Sequence, residues 1–456
     1  MKVAVVAEFY PRRSDPVLGV WAQRQALAAR AAGAEVHVLV LHRLVPPRAA
    51  LRAGPGAAAR AFGGLARDLR GDTPRDGGRS RSTNADEHPP RAPSDGIPHQ
   101  PSHAPEREPG DLPVTYVPYI SPPRWRAYAS WGAWAAPALG VALRRLHRRE
   151  GIDIIHAHNA VPAGDAVRRV GLALPLVVSV HGGDVLYTAR RSAAGREAVA
   201  RGLGAARLTL ANSRGIAELA AADGARAVRV VHLGADLPRS KASRAGREGM
   251  PAGTWAEGEL DGSPALVTVG HLVARKRHAD VLRALAVLRS RHPTLRYAIV
   301  GDGPERVALE GLAARLGVHE RVEFCGQLPP AEARARAWRC TLFAMPSTEE
   351  AFGVAYIEAM AGGLPAIGCR GEPGPEEIAA AGDGFMLVPP GDIERLTQRI
   401  DELLSDPQRL REAGRRARAT VAAHFTWERC GEQTVAAYEH ALGGGTPPVT
   451  RCAVGQ

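Results

Sequence analysis

The sequence predicts an α/β protein of two Rossmann-like lobes that face each other across a cleft. Three observations carry this. Short apolar runs of strand length alternate with longer amphipathic stretches from Val3 onward, the pattern of a parallel sheet with helices packed on it. The alternation stops over residues 237–263, which are rich in Gly, Ser and Arg without hydrophobic period, and then restarts. The 456 residues also suffice for two domains with a core each. The expected division is a first lobe over 1–236, a linker over 237–263, a second lobe over 264–442 with a closing helix, and a loose tail over 443–456.

Taken in order, residues 3–7 form a buried-type strand, and a loop over 8–18 leads to Gly19 and a helix over 21–32. Gly33 ends that helix and 35–41 is the next strand, so the chain opens as the start of a parallel sheet. Over about 45–112 Pro, Gly, Arg, Ser, Asp and His dominate and periodicity vanishes. Such a segment cannot bury enough apolar surface to offset its ordering entropy, and a disordered insertion in the first lobe is expected. Order returns with a strand at 114–117 and a helical region over 124–149, broken at Pro137. Strands at 153–157, Leu176–Val180, 208–210 and 228–232 then end at His156, His158 and Asn159, at His181-Gly182-Gly183-Asp184, at Asn212-Ser213 and at Gly234-Ala235-Asp236. Polar residues gathered after successive strands mark the ligand crevice of an open α/β sheet.

The second unit repeats the plan: strand Ala265–Val269, a Gly270 loop, helix 280–291, strand 297–300 with Gly301-Asp302-Gly303, helix 306–316, strand 322–324 ending near Gly326, and helix 331–339. Residues 346–365, P-S-T-E-E-A-F-G-V-A-Y-I-E-A-M-A-G-G-L-P, lie between strands at 341–345 and 365–368. Within them Val354–Ala361 reads as a short helix opened by Gly353 and closed by Gly362 and Gly363. Its open N-terminus favours a phosphate. Glu350 in the preceding turn and Glu358 two turns into the helix either hold a hydroxylated, phosphorylated ligand at two points or are solvated surface glutamates. Strand Phe385–Val388 and helices over Ile393–Leu404 and 427–441 complete the lobe.

The apolar fraction of 45% and charged fraction of 23% are those of a globular soluble protein, and no apolar run approaches the roughly 20 residues of a membrane span. The opening apolar run stops at Glu8, short for a signal-peptide core. Five scattered cysteines without C-x-x-C spacing point to a reducing, cytoplasmic setting and away from a structural metal. The net charge of +12 calls for an anionic partner: nucleotide phosphates, nucleic acid or anionic lipid. No basic-aromatic module appears and the arginines are spread over many helices, so nucleic acid is set aside.

V-G-H-L-V-A-R-K (269–276), V-G-D-G-P (300–304), V-E-F-C-G-Q-L (322–328) and M-P-S-T-E-E-A-F-G-V-A-Y-I-E-A-M-A-G-G-L-P (345–365), in this order, resemble the donor lobe of retaining glycosyltransferases of family 4, which have the GT-B fold. The last holds the family's E-x7-E pair as Glu350 and Glu358. The first lobe resembles the family more loosely, through Gly19, H-A-H (156–158), V-H-G-G-D (180–184), A-N-S (211–213) and L-G-A-D (233–236). The resemblance implies that Glu358 binds the ribose diol of a nucleotide and that Glu350 lies beside the donor sugar. It implies that the backbone of Phe352, Gly353 and Val354 contacts sugar or diphosphate, and that Arg275 and Lys276 neutralise the leaving diphosphate. It further implies that His181 touches the donor sugar, with Gly19, Asp184 and Gly326 lining the site. His271 stands where the family often has Arg, and Arg277 where a glycine is common.

His156 and His158 stand equally as structural residues or site residues, and no third ligand at suitable spacing supports a metal. The chain lacks a D-x-D, so no metal cofactor is expected. Gly301-Asp302-Gly303 lacks the dinucleotide spacing and reads as a turn lining the cleft. Trp125, Tyr128, Trp131 and Trp134 recur every third residue, followed by apolar residues and Arg144, Arg145, Arg148 and Arg149. Two readings stand: aromatics packed into the first lobe, or an interfacial helix over 125–149 docking on anionic lipid. The resemblance implies transfer of a sugar from a nucleoside diphosphate-sugar donor to a sugar or lipid-linked acceptor, in polysaccharide or glycolipid assembly, by a protein peripheral at the inner face of the cell membrane. A phosphorylase of the same fold and a catalytically silent sugar-nucleotide-binding protein are the alternatives.

Overall fold

The computed structural model describes residues 1–12, 15–45, 54, 56–57, 60, 63, 112–238 and 263–443. The insertion expected over 45–112, all but the ends of the linker over 237–263 and the tail beyond 443 lie outside the described residues, a few positions apart.

The first lobe runs β1 (Lys2–Ala7), α1 (Val20–Ala31), β2 (Glu35–Arg43), β3 (Val114–Tyr119), α2 (Trp131–Glu150), β4 (Ile154–His158), α3 (Asp165–Val170), β5 (Leu176–Val180), α4 (Ala193–Ala205), β6 (Leu208–Ala211), α5 (Arg214–Ala222) and β7 (Val228–Val230). Its seven strands are parallel, in the order β3-β2-β1-β4-β5-β6-β7. Helices cover both faces, so the strands read as unbroken apolar runs: Val3, Val5 and Ala7 enter one core while Ala4 and Val6 enter another.

The second lobe runs β8 (Ala265–Val269), α6 (His278–Leu288), β9 (Arg296–Val300), α7 (Arg306–Arg315), β10 (Val322–Gly326), α8 (Pro330–Trp338), β11 (Leu342–Ala344), α9 (Val354–Ala361), β12 (Ala366–Cys369), α10 (Pro373–Ala381), β13 (Phe385–Val388), α11 (Ile393–Leu404), α12 (Pro407–His424) and α13 (Trp427–Gly443). Its parallel sheet has the order β10-β9-β8-β11-β12-β13. In each lobe the chain winds outward to one side of the first strand and then crosses to the other. The loops after β1 and β4, and those after β8 and β11, therefore part and leave a crevice at the strand ends.

The closing helix α13 returns to the first lobe. Gly431 lets its backbone approach α1 so closely that a Cβ there would lie 2.2 Å from the Ala28 carbonyl oxygen. Gln25 donates to Thr434 Oγ1 at 3.1 Å, and Tyr438 Oη lies 2.7 Å from His156 Nδ1 on β4. One apolar core thus runs from β1 through α13 into α9.

Three differences from the sequence reading have physical causes. The helical region over 124–149 breaks at Ala127, with φ −142° and ψ 23°, and not at Pro137, which sits inside the continuous helix α2. Pro137 and Ala133, whose carbonyl loses its partner, are both exposed, so water satisfies what the proline removes. Helix α10 opens on P-G-P, which reads as a breaker although proline at the first helical position is pre-organised for one. Helix α12 buries only the small or short side chains Gly414, Ala417, Thr420 and Val421, too narrow a stripe to show as periodicity.

Candidate active site

The site grows from the loop between β11 and α9. Glu349 and Gly353 both take left-handed backbone, at φ 54° and 90°, which bends the loop back across the mouth of α9. A Cβ on Gly353 would lie 2.3 Å from the Tyr356 ring. Tyr356 donates its hydroxyl to the Met345 carbonyl and meets Ser347 Oγ at 3.0 Å, while Ser347 donates to Glu350 Oε2 at 2.9 Å. From outside, Glu372 Oε2 accepts the Glu350 amide at 2.9 Å. Glu350 is therefore held at its carboxylate by Ser347, itself braced by Tyr356, and at its backbone amide by Glu372.

The loop after β8 completes it. Thr348 donates its amide to the Arg275 carbonyl at 2.8 Å, joining the two loops, and Lys276 Nζ lies 2.5 Å from Glu350 Oε2 with both side chains largely buried. Lysine occurs only three times in the sequence, at 2, 241 and 276, so arginine is this chain's default cation. The ammonium makes a single point contact with one carboxylate oxygen, not the two-nitrogen fork of a guanidinium. Burial alone would raise the Glu350 carboxyl, but Lys276, Arg275 and the Ser347 hydroxyl hold it below the ordinary carboxylate range. Arg277 has φ 55°, in the left-handed region that favours glycine, and its guanidinium binds Asp280 at 2.6 Å. His271 is exposed on the same loop.

Glu358, on α9, is partly exposed and pairs with Arg334 at 3.5 Å. Burial raises its carboxyl, Arg334 pulls it down and Asp236 pushes it up again. Asp236 comes from the end of the first lobe and binds both Arg24 on α1 and Arg334 on α8. Arg334 and Arg24 were invisible in the sequence, because a single arginine on a charged helix face carries no signal. The Phe352 side chain is in the core, stacked on His232 with centroids 5.8 Å apart, so only its backbone faces the loop. Val354 is half-buried at the first position of α9, and Gly326 ends β10 with its carbonyl accepting the Gly301 amide at 2.8 Å.

The first lobe meets this loop directly. Ser213 donates to the Ala351 carbonyl at 2.8 Å, and a Cβ on Gly182 would lie 2.4 Å from Ala351 Cβ. That contact packs the turn that bears His181 against the residue that follows Glu350, so the loops carrying His181 and the Lys276–Glu350 pair adjoin. His181 Nε2 lies 2.9 Å from His158 Nδ1, the two rings parallel within 5°, and its Nδ1 has no partner. Burial depresses His181 to about 4, so its ring is neutral at neutral pH. His156 bridges Tyr438 and Ser179 at 2.7 Å each, a structural role. Asp184 gives both carboxylate oxygens to the amides of Ala160 and Val161, at 3.0 and 3.2 Å, and burial raises it to about 7. It pins the turn after β4. Gly19, at φ 69°, opens α1 against the Phe9 backbone.

The helical region over 125–149 sends its aromatics to different places. Tyr128 is bonded to Glu8 and Val161, and Trp131 is 4% exposed, so both belong to the first lobe's core and no aromatic stripe runs along the surface. The Trp125 side chain lies outside those described. Trp134 and Val141 are exposed, on the face that continues into Arg144, Arg145 and Arg148. Among the described residues no helix is long and apolar enough to cross a membrane.

Comparison with known proteins agrees with this architecture. The family model described as glycosyl transferases group 1 matches residues 254–420, and the one described as glycosyltransferase family 4 matches 97–239. An exopolysaccharide phosphotransferase from Streptomyces coelicolor is 35% identical over 37% of this chain, which spans only 18% of that protein's length. A GDP-mannose-dependent alpha-(1-6)-phosphatidylinositol monomannoside mannosyltransferase from Mycolicibacterium smegmatis is 28% identical over 71% of this chain and 90% of its own. Among solved structures, sucrose-phosphate synthase from Thermosynechococcus elongatus superposes with a TM-score of 0.69 at 20% identity, over 98% of this chain and all of that one. Anabaena HepE, in complex with UDP and glucose, gives 0.63 at 18% identity, over 96% and 100%. With both lobes matched by family models and the two-sheet architecture shared with these folds, the chain belongs to the group 1 glycosyl transferases, family 4, of the GT-B fold.

Proposed function

We propose that this chain is a metal-independent retaining glycosyltransferase that moves a sugar from a nucleoside diphosphate-sugar to an acceptor hydroxyl in glycolipid or polysaccharide assembly. The observation that carries the reading is the buried Lys276–Glu350 pair at the open N-terminus of α9, with the first-lobe turn that bears His181 packed against Ala351. Glu358 on the same helix accepts the ribose hydroxyls, and the α9 amides with Lys276 and Arg275 receive the diphosphate. The names of relatives that depend on GDP-mannose, and a neighbouring structure holding UDP and glucose, support a nucleotide-sugar donor.

The Glu350 charge is answered by Lys276 at 2.5 Å, so its carboxylate is a poor nucleophile. The acceptor oxygen instead bonds to the anomeric carbon on the face from which the diphosphate leaves. The bond from that carbon to the diphosphate oxygen breaks, and the acceptor proton passes to the departing phosphate. Lys276 and Arg275 stabilise the charge that develops there, while neutral His181 offers a hydrogen bond to the sugar. The exposed face of α2, with Trp134, Val141 and the arginines after them, would seat the protein on anionic lipid and present the cleft to a lipid-linked acceptor.

A panel of UDP-, GDP- and ADP-sugars with chelator present tests the reading. Turnover of one of them, with the product anomer matching the donor's, supports it; cleavage only with free phosphate indicates a phosphorylase, and binding without turnover a silent partner.

A further inference from the structure

Resting on the reading of the second lobe as the donor lobe, which leaves the first lobe to the acceptor, we propose that the acceptor carries a phosphate, held by Arg12, Arg124 and Tyr119 at the end of an aromatic path that begins at His181. The path is continuous. The His181 ring faces Trp21 with centroids 6.1 Å apart, Trp21 faces Phe9 at 6.3 Å, and the Arg124 guanidinium carbon stands 5.2 Å from the Phe9 centroid and 4.3 Å from that of Tyr128. Trp21 and Phe9 are half-buried, offering ring faces to the apolar face of a sugar.

Beyond them, at the carboxyl ends of β1, β2 and β3, three guanidiniums surround one acid. Arg124, Arg12 and Arg43 all act on Glu8, a buried carboxyl that burial pushes above its ordinary value and that accepts the Tyr128 hydroxyl at 2.9 Å. Arg43 is already committed: it donates to Ser121 Oγ at 2.8 Å and to the Ser121 and Pro122 carbonyls, and stacks on Trp131. Arg12 and Arg124 are not. Arg12 spends one guanidinium nitrogen on the Glu8 carbonyl, and its Nε is buried with no hydrogen-bond partner. Arg124 is exposed and, among the described residues, forms no ion pair. The Tyr119 hydroxyl, on a side chain 4% exposed and within electrostatic reach of Arg43, Arg12 and Arg124, likewise has no partner.

What these groups share decides the ligand. The unmet positions on Arg12 and Arg124 are N–H donors that cannot accept, and Tyr119 has an O–H to give. Arg12 Nε and the Tyr119 hydroxyl are buried donors left unpaired, which is costly, Arg124 is exposed, and the cluster carries more positive than negative charge. The group that completes it must accept several hydrogen bonds and bear negative charge. A phosphate with three oxygens meets three separate donors, where a carboxylate has two.

Calorimetric titration of the full chain tests this, with glycerol 3-phosphate and dihexanoyl phosphatidylglycerol below its micelle concentration as probes, and glycerol as the uncharged control. At least one phosphate probe should bind where glycerol does not. Arg12→Gln and Arg124→Gln should each weaken it about tenfold, and Tyr119→Phe about threefold. Tighter binding of the lipid probe identifies a membrane phosphodiester as the source, and tighter binding of glycerol 3-phosphate a soluble phosphomonoester. If neither phosphate binds better than glycerol, or the variants bind as the wild type does, the proposal is overturned. Arg124 is exposed, so Arg124→Gln decides the matter should Arg12→Gln fail to fold. UDP and GDP titrated into the same samples report on the donor side separately: nucleotide binding with no phosphate binding sinks this proposal alone, and the reverse sinks the donor assignment.

Discussion

Lys276 Nζ lies 2.5 Å from Glu350 Oε2 across two loops of the second lobe, and that contact decides what the carboxylate can do. Paired and mostly buried, it has the proposed role of orienting and neutralising rather than attacking. Glu350→Gln should leave nucleotide affinity within about threefold and lower turnover about a hundredfold, since the ammonium loses its anchor beside the reacting carbon. Removing one partner of such a pair strands the other, so Lys276→Met combined with Glu350→Gln should cost far less than the sum of the single changes. Steady-state kinetics on the four proteins checks both, and additive losses would refute the coupling.

Gly353 is needed for shape. At φ 90°, with the Tyr356 ring where a Cβ would stand 2.3 Å away, alanine must move the mouth of α9. Gly353→Ala should lower stability by about 1–3 kcal/mol and weaken nucleotide binding at least about tenfold. An unchanged urea midpoint together with unchanged nucleotide affinity would contradict the role given to this turn.

The histidine cluster makes stability depend on pH in a defined direction. Burial holds His181 at about 4, His156 at about 3 and His158 well below the ordinary 6.5. Below about pH 6.5 the unfolded chain takes up protons that the folded chain refuses, so stability falls as pH falls. These groups contribute fully above that pH and lose the contribution towards pH 4, with a limiting slope of about three protons. Urea unfolding between pH 7.5 and 5 should show the decline, and His156→Gln should reduce the slope by about one proton. Asp184, raised to about 7, works the other way over the same range, so the slope that His156→Gln removes is the decisive readout, and an unchanged slope in that variant would remove the cluster from the account.

Much of this was legible in the sequence because its signals are local. The β11 to α9 stretch announces itself through Gly353, the paired Gly362 and Gly363, and two glutamates at fixed spacing. What stayed hidden depends on contacts between distant segments. Nothing near Asp236 says that it will meet Arg24 on one lobe and Arg334 on the other, and nothing near His158 says that it will hold His181. The aromatic repeat over 125–134 misled for a related reason. A three-residue spacing drifts around a helix, and the break at Ala127 turns Tyr128 and Trp131 inward and leaves Trp134 outside.

Trp134 and the arginines after it give the membrane reading its test. In sedimentation with liposomes, the protein should pellet with phosphatidylglycerol vesicles at low salt and be released at high salt. Trp134→Ser together with serine at Arg144, Arg145, Arg148 and Arg149 should leave it in the supernatant. Wild-type protein that stays in the supernatant at low salt would favour a soluble acceptor.

The most direct measurement of the central claim is nucleotide binding at Glu358, which stands on α9 behind the glycine-opened turn, paired with Arg334. UDP, GDP and ADP are titrated by calorimetry, in chelator, into the wild-type protein and Glu358→Ala. One nucleoside diphosphate should bind the wild type, and Glu358→Ala should weaken it at least about tenfold, the loss of about 1.4 kcal/mol expected for a carboxylate that accepts two ribose hydroxyls. No binding of any of the three, or equal affinity in the two proteins, would contradict the assignment of this cleft to a nucleotide-sugar donor.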